Sequence, residues 1–213
     1  MPKGSEELTI SRKEEIVNAC AALYETMQFK DVTLKEIGAK TTFTRTSIYN
    51  YFQTKEEIFL ALLQREHDAW NADLAELLQT EAPLSAAAFA GALALTLEKR
   101  ACMLKLMSMN LYDMEANSRL GNLVAFKASY GRGLGLIARC LKKFFPRMAE
   151  EDVQGFLYAF FPFLFGIYPY TTATEKQKKA MKLAQVEPAR LSIREITSSL
   201  VCKLLQGFEG PAD

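Results

Sequence analysis

The chain has 213 residues, enough for one large domain or two small ones. Its 26 Lys and Arg residues against 25 Asp and Glu residues exclude a globally basic surface, so any nucleic-acid interface must be a local patch. The four cysteines stand far apart, which excludes a zinc ribbon or a C-x-x-C redox pair and favours reduced thiols in a cytoplasmic protein. We expect no signal peptide, and the most apolar stretch, 156–168, is too short for a membrane span.

Helical periodicity recurs along the chain and no run alternates like a strand, so we predict an all-α fold. Capping boxes at Ser11, Thr33, Thr54 and Ser192 each precede an apolar run with helical spacing. The predicted helices are 12–27, two short ones opening after Thr33 and Thr44, then 55–79, 86–110, 116–145, 151–168, 175–184 and 192–206. Pro146 and Pro169 are expected to end helices.

The segment 33–55, TLKEIGAKTTFTRTSIYNYFQTK, is the most informative part of the sequence. Two short helices about three residues apart are typical of a helix-turn-helix, in which the start of the second helix enters the major groove. There Arg45 can donate to guanine O6 and N7, and Thr46 can contact a thymine methyl or a base edge. Five side chains suit phosphate oxygens: Thr33, Ser47, Tyr49, Tyr51 and Lys55.

The same segment resembles the TetR family of transcriptional repressors over about residues 11–63, most specifically in Tyr49-x-Tyr51-Phe52 followed by Lys55-Glu56. The resemblance implies base contacts from Lys35, Arg45 and Thr46. It implies phosphate contacts from Thr33, Thr44, Ser47, Tyr49, Tyr51 and Lys55, with Asn50 as a further candidate. Thr42 stands where the family has a glycine. A left-handed threonine costs about a kcal/mol or more, so we expect a reshaped turn or a different end to the second helix.

The resemblance also implies a division into an N-terminal three-helix DNA-binding domain, 1–55, and a helical ligand-binding and dimerisation domain, 56–213. Such a protein would bind a palindromic double-stranded DNA operator as a homodimer. A small apolar or amphipathic effector would release it, and neither a cofactor, a metal nor a membrane would be involved.

Two sets of regulatory residues are expected. The predicted helices 151–168 and 192–206 carry apolar stripes suited to a dimer interface: Val153, Phe156, Phe160, Leu164, Ile196, Leu200 and Leu204. An effector cavity would be lined by aromatic and Met side chains, for each of which plain core packing is the alternative: His67, Trp70, Phe89, Met103, Met107, Tyr112, Phe126, Tyr130, Tyr158 and Phe161. The closely spaced Gly131, Gly133 and Gly135 suggest close helix packing.

The sequence leaves two other classes of function as alternatives. An enzyme is disfavoured because the chain has one histidine and no nucleophile-elbow, zinc-protease or phosphate-loop motif, which leaves no catalytic residue to name. The other alternative is a helical protein-interaction module whose helix-turn-helix does not read DNA.

Overall fold

The computed structural model describes residues 3–187 and 191–208, without the side chains of residues 3–5 and of Arg45. Over these ranges the chain forms ten helices and no strand, which confirms the all-α prediction. The helices are α1 (Lys3–Thr26), α2 (Leu34–Ala39), α3 (Arg45–Ile48), α4 (Lys55–Gln79), α5 (Ala86–Glu98), α6 (Ala101–Ala116), α7 (Leu120–Phe144), α8 (Glu150–Thr171), α9 (Glu175–Leu183) and α10 (Ile193–Leu204).

The chain divides into two compact units. The N-terminal unit comprises the residues up to Arg65 together with Asn110–Ala128, and the C-terminal unit comprises Glu66–Met109 and the described residues from Ser129 onward. Helices α4, α6 and α7 each contribute residues to both units.

The core of the N-terminal unit is built where α1 meets the short helices. Ile16 and Cys20 of α1, Ile37 of α2 and Ile48 of α3 are all fully buried. Each such aliphatic side chain contributes about 1.5–3 kcal/mol when removed from water, so these contacts fix the short helices α2 and α3 against α1. Most of their stability must come from this packing, since helices of one or two turns do not persist alone in water.

The C-terminal unit is organised around the single tryptophan. Trp70 of α4 is fully buried, and its indole N–H donates to Thr96 Oγ1 at 3.0 Å. Gly133 of α7 lies directly against α4: a Cβ there would stand 3.0 Å from Asn71 Oδ1 and 3.6 Å from the Trp70 ring. The expectation of close glycine packing is therefore met at Gly133, whereas a Cβ at Gly131 or Gly135 would meet nothing within 4 Å.

Several predicted helix limits are wrong. The helix expected at 86–110 is interrupted, because Arg100 between α5 and α6 pairs with Asp73 at 2.6 Å and donates to the Ala69 carbonyl at 3.2 Å. Ser11 lies inside α1 and caps nothing. Helix α8 continues through Pro169, because the burial of neighbours such as Ile167 outweighs the loss of one backbone hydrogen bond.

Candidate nucleic-acid interface

Helix α2 begins directly after Thr33, the residue that the sequence predicted as its N-cap. Thr33 Oγ1 accepts the backbone N–H groups of Lys35 and Glu36 at 3.2 and 3.4 Å. The Thr33 hydroxyl hydrogen remains available to an acceptor such as a phosphate oxygen. Lys35, one position into the helix, is exposed.

The turn between α2 and α3 avoids the left-handed conformation that a glycine would allow. Among the described non-glycine residues only Gln185 has a positive φ, so Thr42 carries no such strain. Instead α1 holds the turn from outside. Glu15 Oε1 accepts the Thr42 backbone N–H, and Arg12 donates to Thr42 Oγ1 at 2.9 Å. The hydrogen bond from the Thr42 backbone is the main reason that the pKa of Glu15 is lowered.

Helix α3 is a single turn, shorter than predicted, but its hydrogen bonding continues beyond Ile48. The backbone N–H groups of Tyr51 and Phe52 both donate to the Ile48 carbonyl, at 2.9 and 3.0 Å. Ile48 and Phe52 point into the core, with 0% and 4% exposure. Residues 44–53 are called the α3 segment below. Its opposite face presents Thr46, Tyr49 and Asn50 to solvent.

The ten predicted DNA-contacting residues are mostly accessible. Six are exposed: Thr33, Lys35, Thr44, Thr46, Tyr49 and Asn50. Ser47, Tyr51 and Lys55 are half-buried, and the side chain of Arg45 lies outside the described residues. Lys55 Nζ donates to the Phe29 carbonyl at 2.8 Å and lies 4.5 Å from the centre of the Phe29 ring. Lys55 thus braces the loop before α2 and would have to share its donors with a phosphate.

An ion pair between a buried carboxylate and a half-exposed arginine supports the end of this segment, and sequence reasoning missed the arginine. The Glu57 carboxylate, with a side chain only 1% exposed, accepts the Arg119 Nε and Nη2 hydrogens at 2.5 and 2.8 Å. It also accepts the backbone N–H groups of Gln53 and Arg119 at 2.8 and 3.1 Å. Arg119 Nη2 in turn donates to the Tyr51 carbonyl at 3.1 Å. No local signal in the sequence links residues that are 62 positions apart.

Comparison with known proteins identifies the family. The model of the N-terminal domain of bacterial regulatory proteins of the tetR family matches residues 13–62, and that of the tetracyclin repressor-like C-terminal domain matches residues 64–212. The chain belongs to the TetR family. This confirms the resemblance seen in the sequence: the protein is a ligand-responsive, DNA-binding transcription regulator and not an enzyme. No curated protein sequence matches the chain.

Solved structures of other regulators share the TetR fold of this chain. FadR, the fatty acid degradation regulator of Bacillus halodurans, is 14% identical with a TM-score of 0.60 over 92% of this chain and 95% of that chain. The MbdR regulator of Azoarcus sp. CIB is 19% identical, with a TM-score of 0.51 over 91% and 97%. SmeT, the repressor of the Stenotrophomonas maltophilia multidrug efflux pump SmeDEF, is 16% identical, with a TM-score of 0.51 over 94% of each chain. At these identities the likeness concerns the fold.

The C-terminal unit of this TetR-family chain contains a cavity of about 450 Å³ between α7 and α8. Tyr130, Tyr158 and Phe161 line it, as predicted for an effector site, together with aliphatic side chains and Gln154. Two further predicted residues, His67 and Trp70, do not line the cavity but are fully buried behind its aromatic lining. The His67 ring lies 5.8 Å from that of Tyr130, and the Trp70 ring lies 6.0 Å from that of Phe161.

The structure does not bring the other predicted effector residues to this cavity. Phe89 packs against Phe144 and Phe145, with ring centroids 5.8 and 5.5 Å apart. Met103 and Met107 are buried core residues. Tyr112 and Phe126 belong to the N-terminal unit, where Tyr112 is 85% exposed and Phe126 is buried.

The stripe on α8 that the sequence assigned to a dimer interface lies inside the chain. Its four members are only 0–3% exposed, which leaves a partner nothing to cover: Val153, Phe156, Phe160 and Leu164. Because α8 is apolar on every side, periodicity could not tell its inner face from its outer one. The predicted members on α10 differ, since Ile196, Leu200 and Leu204 are half-buried.

Neither a metal site nor a membrane span is found in residues 3–187 and 191–208. No three His, Cys, Asp or Glu side chains there are grouped so that they could hold a metal ion. No helix in these ranges has both the length and the hydropathy needed to cross a bilayer.

Proposed function

We propose that the protein is a repressor that binds a two-fold-symmetric operator as a dimer and leaves it when a small apolar or amphipathic molecule binds. The observation that most directly supports DNA binding is the exposed face of the α3 segment. Thr46, Tyr49 and Asn50 project from it while Ile48 holds the segment to the core. As a DNA-binding protein of a bacterial family, it would act in the cytoplasm.

Within this proposal Lys35, Arg45 and Thr46 contact base edges, because they lie at or near the start of the helices that face DNA. The phosphate contacts are assigned to the capping and flanking side chains: Thr33, Thr44, Ser47, Tyr49, Asn50, Tyr51 and Lys55. Residues 1–55 would form the DNA-binding domain and residues 56–213 the regulatory domain.

Selection of genomic fragments by the purified protein, followed by titration of the enriched site over a salt series, tests the DNA-binding proposal. We expect a palindromic site and an affinity that falls as salt rises, because bound phosphates release counterions. Thr46→Ala should weaken and broaden recognition. Thr26→Ala, at an exposed threonine at the end of α1, is the matched control and should bind like the wild type. Absence of enrichment at low salt would refute the proposal.

The effector is proposed to bind in the cavity between α7 and α8. Its lining is mainly apolar, and Tyr130, Tyr158 and Gln154 add side chains that can form hydrogen bonds, which suits an aromatic or amphipathic molecule. Helix α4 starts at Lys55, three residues after Phe52, and its buried His67 and Trp70 pack against the lining residues Tyr130 and Phe161. We propose that effector binding moves α4 and that the effector prefers the DNA-free conformation, as release requires.

Trp70 makes this proposal directly measurable, because it is the only tryptophan of the chain. Small apolar and amphipathic compounds that enter the cavity should change its fluorescence, and the same compounds should lower DNA affinity. By linkage, saturating operator DNA must lower the protein's affinity for each compound by the same factor as the compound lowers its affinity for DNA. A compound that saturates the fluorescence change without altering DNA affinity would contradict the release mechanism. Tyr130→Phe removes the hydroxyl and keeps the ring, so it measures what the hydroxyl alone contributes to binding of each compound.

The dimer is proposed to form through the outer face of α8 together with the α10 stripe of Ile196, Leu200 and Leu204. From Val153 to Thr171, α8 carries no charged residue. Its exposed positions include Tyr170, at 73% exposure in the single chain. An uncharged and partly aromatic outer face is typical of the buried centre of an interface between subunits.

A further inference from the structure

A polar cleft in the N-terminal unit lies next to the α3 segment and has no role in the function proposed above. It has a volume of about 580 Å³ and is lined by Lys13 of α1, by Asn50 and Tyr51, and by Arg119, Gly121 and Asn122 around the start of α7. We call it the α1–α7 cleft. Only Asn50 and Tyr51 belong to the predicted DNA-contacting residues, and they join the cleft to that surface.

The charges in the α1–α7 cleft favour an anion. No acidic side chain lines it. Lys13 is exposed, and within the part of the chain that the structure describes it forms no ion pair. Arg119 uses Nε and Nη2 to hold Glu57 and the Tyr51 carbonyl, and its Nη1 makes none of the described contacts. The cleft therefore offers one uncompensated positive charge and several hydrogen-bond donors, the combination that binds phosphate oxygens.

We propose that the α1–α7 cleft binds a phosphate group of the operator backbone, with Lys13 and Arg119 as the donors. The open form of the cleft suits a phosphodiester within a long duplex, which could not enter an enclosed cavity. Because the cleft is continuous with Asn50 and Tyr51, it would lie where the backbone of the bound DNA runs past the end of the α3 segment. The choice of the operator as the source of the phosphate rests on the proposed function. Free phosphate has the same chemistry and is distinguished below.

Gly121 allows the cleft to be blocked without disturbing the fold. A Cβ at this position would meet nothing within 4 Å, and the backbone is not left-handed. Gly121→Asp should place a carboxylate in the cleft, and an acid in the first turn of α7 is favourable to the helix. Gly121→Asn has nearly the same size without the charge and is the matched control.

DNA titrations of these variants give the first test. Lys13→Gln should lower affinity about 25-fold near 0.15 M salt and reduce the slope of log affinity against log salt by about 1.8, because the dimer loses one phosphate contact in each half-site. Its preference among operator sequences should not change, because phosphates carry no sequence information. Gly121→Asp should bind more weakly than Gly121→Asn. Lys99→Gln, an equal charge change at an exposed lysine of the C-terminal unit, should leave the slope unchanged.

The result that overturns the inference is normal affinity and slope for both Lys13→Gln and Gly121→Asp while the wild type binds its operator. The proposed function would survive that result. If the wild type binds no DNA, the proposed function fails, and inorganic phosphate becomes the deciding probe. Shifts of the Gly121 and Asn122 amide NMR signals that require Lys13 would retain the cleft as a site for free phosphate. Absence of such shifts would overturn the phosphate site itself.

Discussion

The ion pair of Glu57 and Arg119 should be a principal support of the N-terminal unit. Truncating one partner of a buried pair costs about 3–5 kcal/mol. Arg119 is 47% exposed and can regain water, so we expect Glu57→Ala to cost about 3 kcal/mol, at the lower end of that range. For a chain of this size such a loss lowers Tm by about 6–12 °C. Thermal unfolding followed by circular dichroism at pH 7 measures it.

A double-mutant cycle with Arg119→Ala then tests whether the two side chains act together. We expect a coupling energy of about 1–3 kcal/mol, because the residues share direct hydrogen bonds. Operator affinity should fall in both single variants, since the pair holds the Tyr51 carbonyl and the Gln53 N–H at the end of the α3 segment. Additive effects of the two single changes, within about 0.5 kcal/mol, would refute this account.

The pH dependence gives a second reading of the same pair. Burial raises the pKa of Glu57, but the hydrogen bonds from Arg119 and from the Gln53 and Arg119 backbone outweigh it, so the pKa lies below 4.5. A lowered folded-state pKa adds stability that is complete above the unfolded value and is lost as pH falls through the folded one. The stability difference between the wild type and Glu57→Gln should therefore shrink below about pH 4.5. A constant difference would contradict the assignment.

Three further predictions concern other parts of the molecule. Glu15→Ala should speed hydrogen exchange at the Thr42 amide and weaken operator binding, whereas Glu14→Ala at the neighbouring exposed position should do neither. Gly131→Ala should stabilise the protein by up to about 1 kcal/mol, because α7 gains helix propensity and the methyl group meets nothing. Gly133→Ala should instead destabilise it by about 1–3 kcal/mol in chemical unfolding, because the methyl group crowds the Asn71 side chain, which a hydrogen bond to the Ser129 carbonyl holds in place. A stability change of the same sign for both glycines would be evidence against close packing at Gly133. Gly166 is exposed on α8, and a Cβ there would meet nothing within 4 Å. Gly166→Asp should convert the proposed dimer to a monomer in analytical ultracentrifugation while Gly166→Asn does not. A dimer in both variants would contradict an interface on the outer face of α8.

Much of the helix-turn-helix could be predicted from the sequence, because its caps and its buried positions depend on residues close together in the chain. The Thr33 and Ser192 caps form as expected, with the Glu195 N–H donating to Ser192 Oγ at 3.2 Å. The spacing of Ile48 and Phe52 correctly separates buried from exposed positions of the α3 segment. These features depend on residues a few positions apart, where propensity and periodicity are informative.

The features that escaped prediction depend on long-range contacts. Thr54 Oγ1 accepts the Glu57 N–H at 3.2 Å, as the capping box predicted. The other half of the box does not form, because the Glu57 carboxylate accepts hydrogen bonds from Gln53 and from Arg119, which belongs to a distant loop. The turn at Thr42 is held by Glu15 of another helix. Helix α8 shows the limit of periodicity, since a helix that is apolar on all sides does not reveal which face the same chain covers.

The central claim is that the segment 33–55 reads DNA, and Arg45 tests it most directly. Wild type and Arg45→Ala should be titrated against the genomically enriched operator and against a series of duplexes that changes one base pair at a time. The account predicts a loss of about 1–3 kcal/mol for each half-site and relaxed discrimination at one base pair of each half-site. Unchanged affinity and unchanged base preferences in Arg45→Ala would contradict it.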